Sequence, residues 1–142
     1  MNRQDARDAR DVRKEPAAEI DGVASMVIAA AIEVHTNLGL GFVESVYERA
    51  LGIELRLRGI PFVAQAAFAV SYKGNLVGEA RLDLLVADRL VVELKAVDAF
   101  NAVHAAQTLS YLKATRLPLA LLINFNVPVL LRGVRRVVLT NH

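Results

Sequence analysis

The 142-residue chain is 54% hydrophobic, 23% charged and 6% aromatic, and 17 Lys and Arg against 15 Asp and Glu leave a formal charge of only +2. That balance excludes attachment to nucleic acid by bulk charge alone. The absence of cysteine excludes a disulfide scaffold, a thiolate zinc site and a cysteine nucleophile. His35, His104 and His142 lie in separate segments and do not make a histidine metal site.

Residues 1–16 alternate Arg, Asp, Lys and Glu with almost nothing apolar to bury, so they read as a disordered charged tail without a function. They carry no apolar secretory core. The longest run without a charge, residues 117–131, contains Pro118 and Pro128 and falls short of the roughly 20 residues of a membrane helix. The chain therefore reads as soluble and cytoplasmic, with no membrane partner. Residues 17–142 fit one domain.

Order is expected from about Ala17. Ile20, Val23, Met26, Val27, Ala30, Ala31 and Val34 recur at helical spacing and predict a largely buried helix to Leu38, broken by Gly39-Leu40-Gly41. A second helix follows over residues 43–58. Its apolar set is Val43, Val46, Tyr47, Ala50, Leu51, Ile53, Leu55 and Leu57; Glu48, Arg49, Arg56 and Arg58 are left largely for solvent. Gly59 and Pro61 close it. Residues 62–72, 76–86 and 90–97 then read as a meander of three strands, turned at Lys73-Gly74-Asn75 and at Asp88-Arg89. A third helix is predicted over 102–115. Residues 117–124 make an apolar strand of the kind covered on both faces, and a last strand occupies 134–139. The order helix, helix, three strands, helix, strand is that of one α/β domain with a mixed (α+β) sheet.

Three charges interrupt apolar strands where most others sit at edges and turns. Asp83 breaks Leu82-Asp83-Leu84-Leu85-Val86, and Glu93 and Lys95 break Val91-Val92-Glu93-Leu94-Lys95-Ala96-Val97. Burying such groups is costly unless they are paired or bound to a metal. Glu93 and Lys95, two apart, share a face. A two-residue loop would set Asp83 opposite Leu94, whereas a three-residue loop over Ala87-Asp88-Arg89 sets it opposite Glu93. Burial favours the second, with Leu82, Leu84 and Leu94 lining the opposite side. Two carboxylates held side by side need a cation between them, and acidic oxygens without His or Cys suit Mg²⁺ or Mn²⁺. The competing reading is a structural ion pair of Lys95 with Glu93 or Asp83, and spacing alone does not decide between them.

The pattern Asp83…Glu93-Leu94-Lys95 resembles the core motif of the PD-(D/E)xK nuclease superfamily. Gly41-Phe42-Val43-Glu44-Ser45-Val46-Tyr47 is similar to the signature of the GxxExxY proteins, a small bacterial family of that superfamily. The resemblance runs from about Ile20 to Val138 and takes in Ile32-Glu33-Val34-His35 and Leu122-Ile123-Asn124-Phe125-Asn126. Leu40 stands where such proteins often carry Pro. The resemblance implies a restriction-endonuclease-like core of helix, three-stranded meander, helix and strand, preceded here by an extra helix.

It further implies a metal-dependent phosphodiester hydrolase acting on nucleic acid, DNA rather than RNA. Asp83, Glu93, the Leu94 carbonyl and Glu44 would hold Mg²⁺ or Mn²⁺, Lys95 would orient water or neutralise charge, and Gln107 would position Lys95 or the phosphate. Gln107 and Tyr111 share a helical face one turn apart. His35 and His104 are expected to be satisfied by hydrogen bonds, and Arg132, Arg135 and Arg136 to form a solvated face. The small net charge implies a modest footprint on the substrate or a homodimer that assembles a larger one. The alternative is a catalytically silent nuclease fold that binds nucleic acid or a partner protein.

Overall fold

The computed structural model describes residues 18–140, so the charged tail lies outside the described residues. In chain order the elements are α1 (Ala18–Leu38), α2 (Glu44–Leu57), β1 (Phe62–Tyr72), β2 (Asn75–Val86), β3 (Leu90–Lys95), α3 (Ala102–Thr115), β4 (Leu119–Asn124), a 3₁₀ turn (Leu130–Gly133) and β5 (Val134–Val138). Every expected element forms within a few residues of its predicted bounds. No helix of the described residues is long and apolar enough to cross a membrane.

The strands form one sheet in the order β1-β2-β3-β4-β5. The pair β3–β4 is parallel and joined through α3, while β1–β2, β2–β3 and β4–β5 are antiparallel. A parallel pair requires a long crossover, which α3 supplies. The sheet is buried on two sides. Leu84, Val86, Leu90, Val92, Leu94, Leu119, Leu121 and Ile123 pack with α1 and α2. Leu82, Val91 and Ala120 pack with Leu112 of α3 on the other side. β4 lies between β3 and β5 and is buried at all six positions, as its apolar run Leu119–Ile123 requires.

Helix α1 buries Ile20, Ala24, Val27, Ala30, Ala31 and Val34. Met26 departs from the expected set and is 46% exposed. One residue before Val27, it sits about 100° round the helix from the buried stripe. Helix α2 buries a narrower stripe than expected, Tyr47, Leu51, Gly52 and Leu55, and leaves Val43, Val46, Ile53 and Leu57 exposed. Gly59, at φ +71°, ends it in a Schellman arrangement. The Gly59 amide donates to the Arg56 carbonyl at 3.0 Å and the Ile60 amide to that of Leu55 at 2.9 Å.

Tyr47 fixes how α2 enters. Its ring is fully buried and stacks on Phe125 with centroids 4.6 Å apart. Its hydroxyl donates to the Gly39 carbonyl at 2.7 Å and accepts from the Phe42 amide at 3.2 Å. One side chain thus closes the glycine loop between α1 and α2, whose Gly39 and Gly41 both take positive φ. Tyr47→Phe keeps the stacked ring and strands a carbonyl and an amide, which costs about 1–3 kcal/mol. Urea unfolding is expected to show that loss, with faster proteolysis confined to the loop at residues 39–43.

Candidate functional site

The β2–β3 turn contains three residues, Ala87-Asp88-Arg89, two of them at positive φ. The pairs Leu84↔Val92, Leu85↔Val91 and Val86↔Leu90 follow, so Asp83 comes opposite Glu93, the register that brings the charges together. Pairing between the two backbones then stops. In its place the Asp83 amide donates to Glu93 Oε2 at 2.8 Å, and the Leu94 amide donates to Asp83 Oδ2 at 2.8 Å. Each carboxylate binds the main chain of the other strand, and the strands fork beyond them.

The expected place of Leu82 beside Leu84 is not found. Leu84 and Leu94 line the α1–α2 core, but Leu82 packs on the α3 side. Alternation along β2 is interrupted at Asp83, where side chains replace the ladder. The β1 residue across from Asp83 is Gln65, between the pairs Ala64↔Leu84 and Ala66↔Leu82, and its φ is +52°.

Glu93 is 5% exposed. Burial, with the neighbouring Asp83 charge adding to it, pushes its carboxyl up to about 8, against the opposing pull of the Asp83 amide and Lys95. Lys95 is half-buried at the end of β3, on the same face as Glu93. Its carbonyl accepts from the Phe125 amide at 2.9 Å, so the carbonyl of Leu94, next along the strand, points the other way, toward the fork. The segment after Lys95 is clamped from β4. Buried Asn124 accepts from the Val97 amide at 3.1 Å and donates to the Val97 carbonyl at 2.8 Å.

Helix α2 contributes an acid that the sequence reading assigned to solvent. Glu48 is half-buried, and its charge acts on Glu93. Burial raises its carboxyl, the Gln65 amide opposes the rise, and Asp83 and then Glu44 add to it. Glu44, the acid expected at the site, is exposed in the first turn and is not among the charges acting on Glu93. It lines a cleft of about 560 Å³ with Gly41, Phe42, Val43, Ser45, Ala96 and Asn126, beside the residue that follows Lys95. The two acids are one helical turn apart, so the spacing marked Glu48 as a neighbour of Glu44. Only the direction of α2 over the fork makes it the nearer one.

On the opposite side, burial and the Glu93 and Asp83 charges raise the Tyr111 hydroxyl, whose ring meets Phe68 edge-on at 5.1 Å. Gln107, one turn earlier on α3, is exposed, and its side chain makes no hydrogen bond with the described residues. The histidines are occupied as expected. His35 Nε2 bonds the Val127 carbonyl at 2.7 Å, and His104 Nδ1 accepts from the Asn101 amide at 3.1 Å in a capping box. Arg132, Arg135 and Arg136 are exposed, and Arg136 pairs with Asp21 at 2.9 Å.

Among the described residues no three His, Asp or Glu side chains close on one point. The donor set nevertheless fits a small hard cation. Mg²⁺ is typically bound through one or two carboxylates, with water and phosphate completing its shell. Asp83 and Glu93 each commit one oxygen to the fork and keep Oδ1 and Oε1 without a hydrogen bond from the described residues. The Leu94 carbonyl lies on the same side of β3 as the Leu94 amide that Asp83 accepts.

A family model described as the PD-(D/E)XK nuclease superfamily matches residues 21–137. No curated protein and no solved structure matches the chain.

The raised Glu93 carboxyl has a stability consequence with a definite sign. The folded protein holds a proton that the unfolded chain, with an ordinary value of 4.5, releases. This contribution is complete below about pH 4.5 and is lost as pH rises toward 8. Each tenfold difference in proton affinity is worth about 1.4 kcal/mol. Urea unfolding between pH 5 and 9 should show the metal-free wild type losing stability relative to Glu93→Gln up to about pH 8, with no further divergence above it.

Proposed function

Because the chain belongs to the PD-(D/E)XK nuclease superfamily, we propose that it is a metal-dependent nuclease that hydrolyses phosphodiester bonds in DNA at the Asp83–Glu93 fork. The observation that carries this reading is the crossed pair itself. Two carboxylates stand against each other in a buried fork, each with one oxygen unused, and Lys95 projects beside them. Among the described residues no ion pair joins Lys95 to Asp83 or Glu93, so the acids are held by the main chain and not by the lysine. The narrower placing among the GxxExxY proteins rests on Gly41, Glu44 and Tyr47, of which Tyr47 secures the loop that the two glycines turn.

Asp83 and Glu93, with the Leu94 carbonyl, would hold Mg²⁺ or Mn²⁺. The cation supplies polarisation of the scissile phosphate and a lowered pKa for a bound water. Glu48 acts from α2 as the outer acid, accepting hydrogen bonds from water in the site. Lys95, a compact ammonium on the same face of β3 as Glu93, holds the attacking water or a phosphate oxygen and neutralises charge that grows during the reaction. Gln107, exposed on α3, meets the substrate phosphate. Glu44 and Ser45 line the cleft through which the backbone of the nucleic acid approaches. With a net charge of only +2, affinity rests on a few phosphate contacts and falls steeply with salt.

The test combines Mn²⁺ and Mg²⁺ titration, followed as heat, with cleavage of pooled DNA and RNA. Wild type is expected to bind the cation and cut DNA. Asp83→Asn should lose both, while Lys95→Ala keeps the binding and lowers cleavage by at least a hundredfold, each with an unchanged circular dichroism spectrum. A wild type that binds neither cation and cuts nothing refutes the proposal.

A further inference from the structure

Gln65 stands in the left-handed region at φ +52° inside a strand. The β1–β2 register is the same on both sides of it, Ala64↔Leu84 before and Ala66↔Leu82 after, and both strands change the face they bury there, Phe62 and Leu84 packing on the α1–α2 side and Ala66, Phe68 and Leu82 on the α3 side. A non-glycine residue there is strained by roughly 1 kcal/mol or more, and such strain persists where the surroundings enforce it. What Gln65 does with the conformation is visible in its side chain. Nε2 donates to Glu48 Oε1 at 3.0 Å and to Glu48 Oε2 at 3.1 Å. The same residue faces Asp83 across the hairpin, at the point where the β2–β3 ladder gives way to the carboxylate fork.

We propose that Gln65 is a positioning residue that holds the Glu48 carboxylate against the Asp83–Glu93 fork. This rests on the nuclease reading above. The chemistry of the donor explains why an amide serves. A lysine or arginine at position 65 would hold Glu48 equally well, but its charge would cancel that of the acid and repel a divalent cation. A carboxamide fixes the rotamer of Glu48 and leaves its negative charge in place. Gln65 makes no contact with the reacting atoms and acts only through Glu48.

The left-handed backbone supplies a variant that separates positioning from folding. Gln65→Gly removes the amide and relieves the strain, because glycine accepts positive φ freely. Its melting temperature without metal is therefore expected to equal or exceed that of wild type. Its Kd for Mn²⁺, measured calorimetrically, should nevertheless rise roughly tenfold, the usual size of an effect that acts through a ligand's supporting partner. In a Glu48→Gln background the same Gln65→Gly change should add nothing, since the residue it positions is gone. Wild-type affinity for Mn²⁺ in Gln65→Gly overturns the proposal, as does an equal loss with and without Glu48. If wild type binds Mn²⁺ and Asp83→Asn abolishes it, either of those results removes Gln65 alone and leaves the nuclease reading standing. If wild type binds no Mn²⁺, both fall.

Discussion

Two carboxylates hold the main chains of β2 and β3 together exactly where those chains stop holding each other. Glu93 takes the Asp83 amide and Asp83 takes the Leu94 amide. The remaining features of the site follow from that exchange. It ends the ladder, opens the fork and turns Leu82 to the face opposite Leu84. It also keeps two acids together in a place where burial already disfavours charge, so the Glu93 carboxyl rises to about 8. Among the charges acting on Glu93, Lys95 alone is positive, and it does not balance two acids. The arrangement is electrostatically unfinished, which is the property expected of a place that receives a cation.

The scaffold around the fork is built to resist that repulsion. β3 is buried from Leu90 to Leu94 and β4 throughout, so the strand bearing Glu93 and Lys95 cannot tilt away without opening both cores. Asn124 grips the segment after Lys95 by both the amide and the carbonyl of Val97. Gly133 packs so closely on the Asn124 carbonyl that a Cβ would overlap it, which ties the far edge of the sheet to the same clamp. Away from the fork the rigidity lies in main-chain and apolar contacts, and at the fork the two acids supply the cross-strand bonds.

The segment from Gly41 to Glu48 divides its work among neighbouring residues. Tyr47 is a structural member, buried on Phe125 and closing the glycine loop through its hydroxyl. Glu44 faces a cleft at the start of α2, and Glu48, one turn on, leans over the fork under the grip of Gln65. A helix turns 100° per residue, so Tyr47 points into the core while Glu48 beside it does not, and Glu44 and Glu48 follow one another along one face.

Much of this was legible in the chain itself. Apolar periodicity, the glycine and proline breaks and the unbroken apolar run of β4 determined the order of elements, because each is a local consequence of burying one face. Asp83, Glu93 and Lys95 stood out because charges inside apolar strands need a reason. What the tertiary structure decided was register and direction. A turn of three residues in place of two sets Asp83 against Glu93, a register that burial favoured in the sequence and that only the folded turn fixes. The identity of the nearest helical acid also lay beyond local reading. Glu44 and Glu48 occupy one helical face, and only the angle at which α2 crosses the sheet selects between them. Gln65 had no signal at all, since nothing in an uncharged strand announces a left-handed residue. Its conformation belongs to the meeting of β1, β2 and α2, which exists only once the chain has folded.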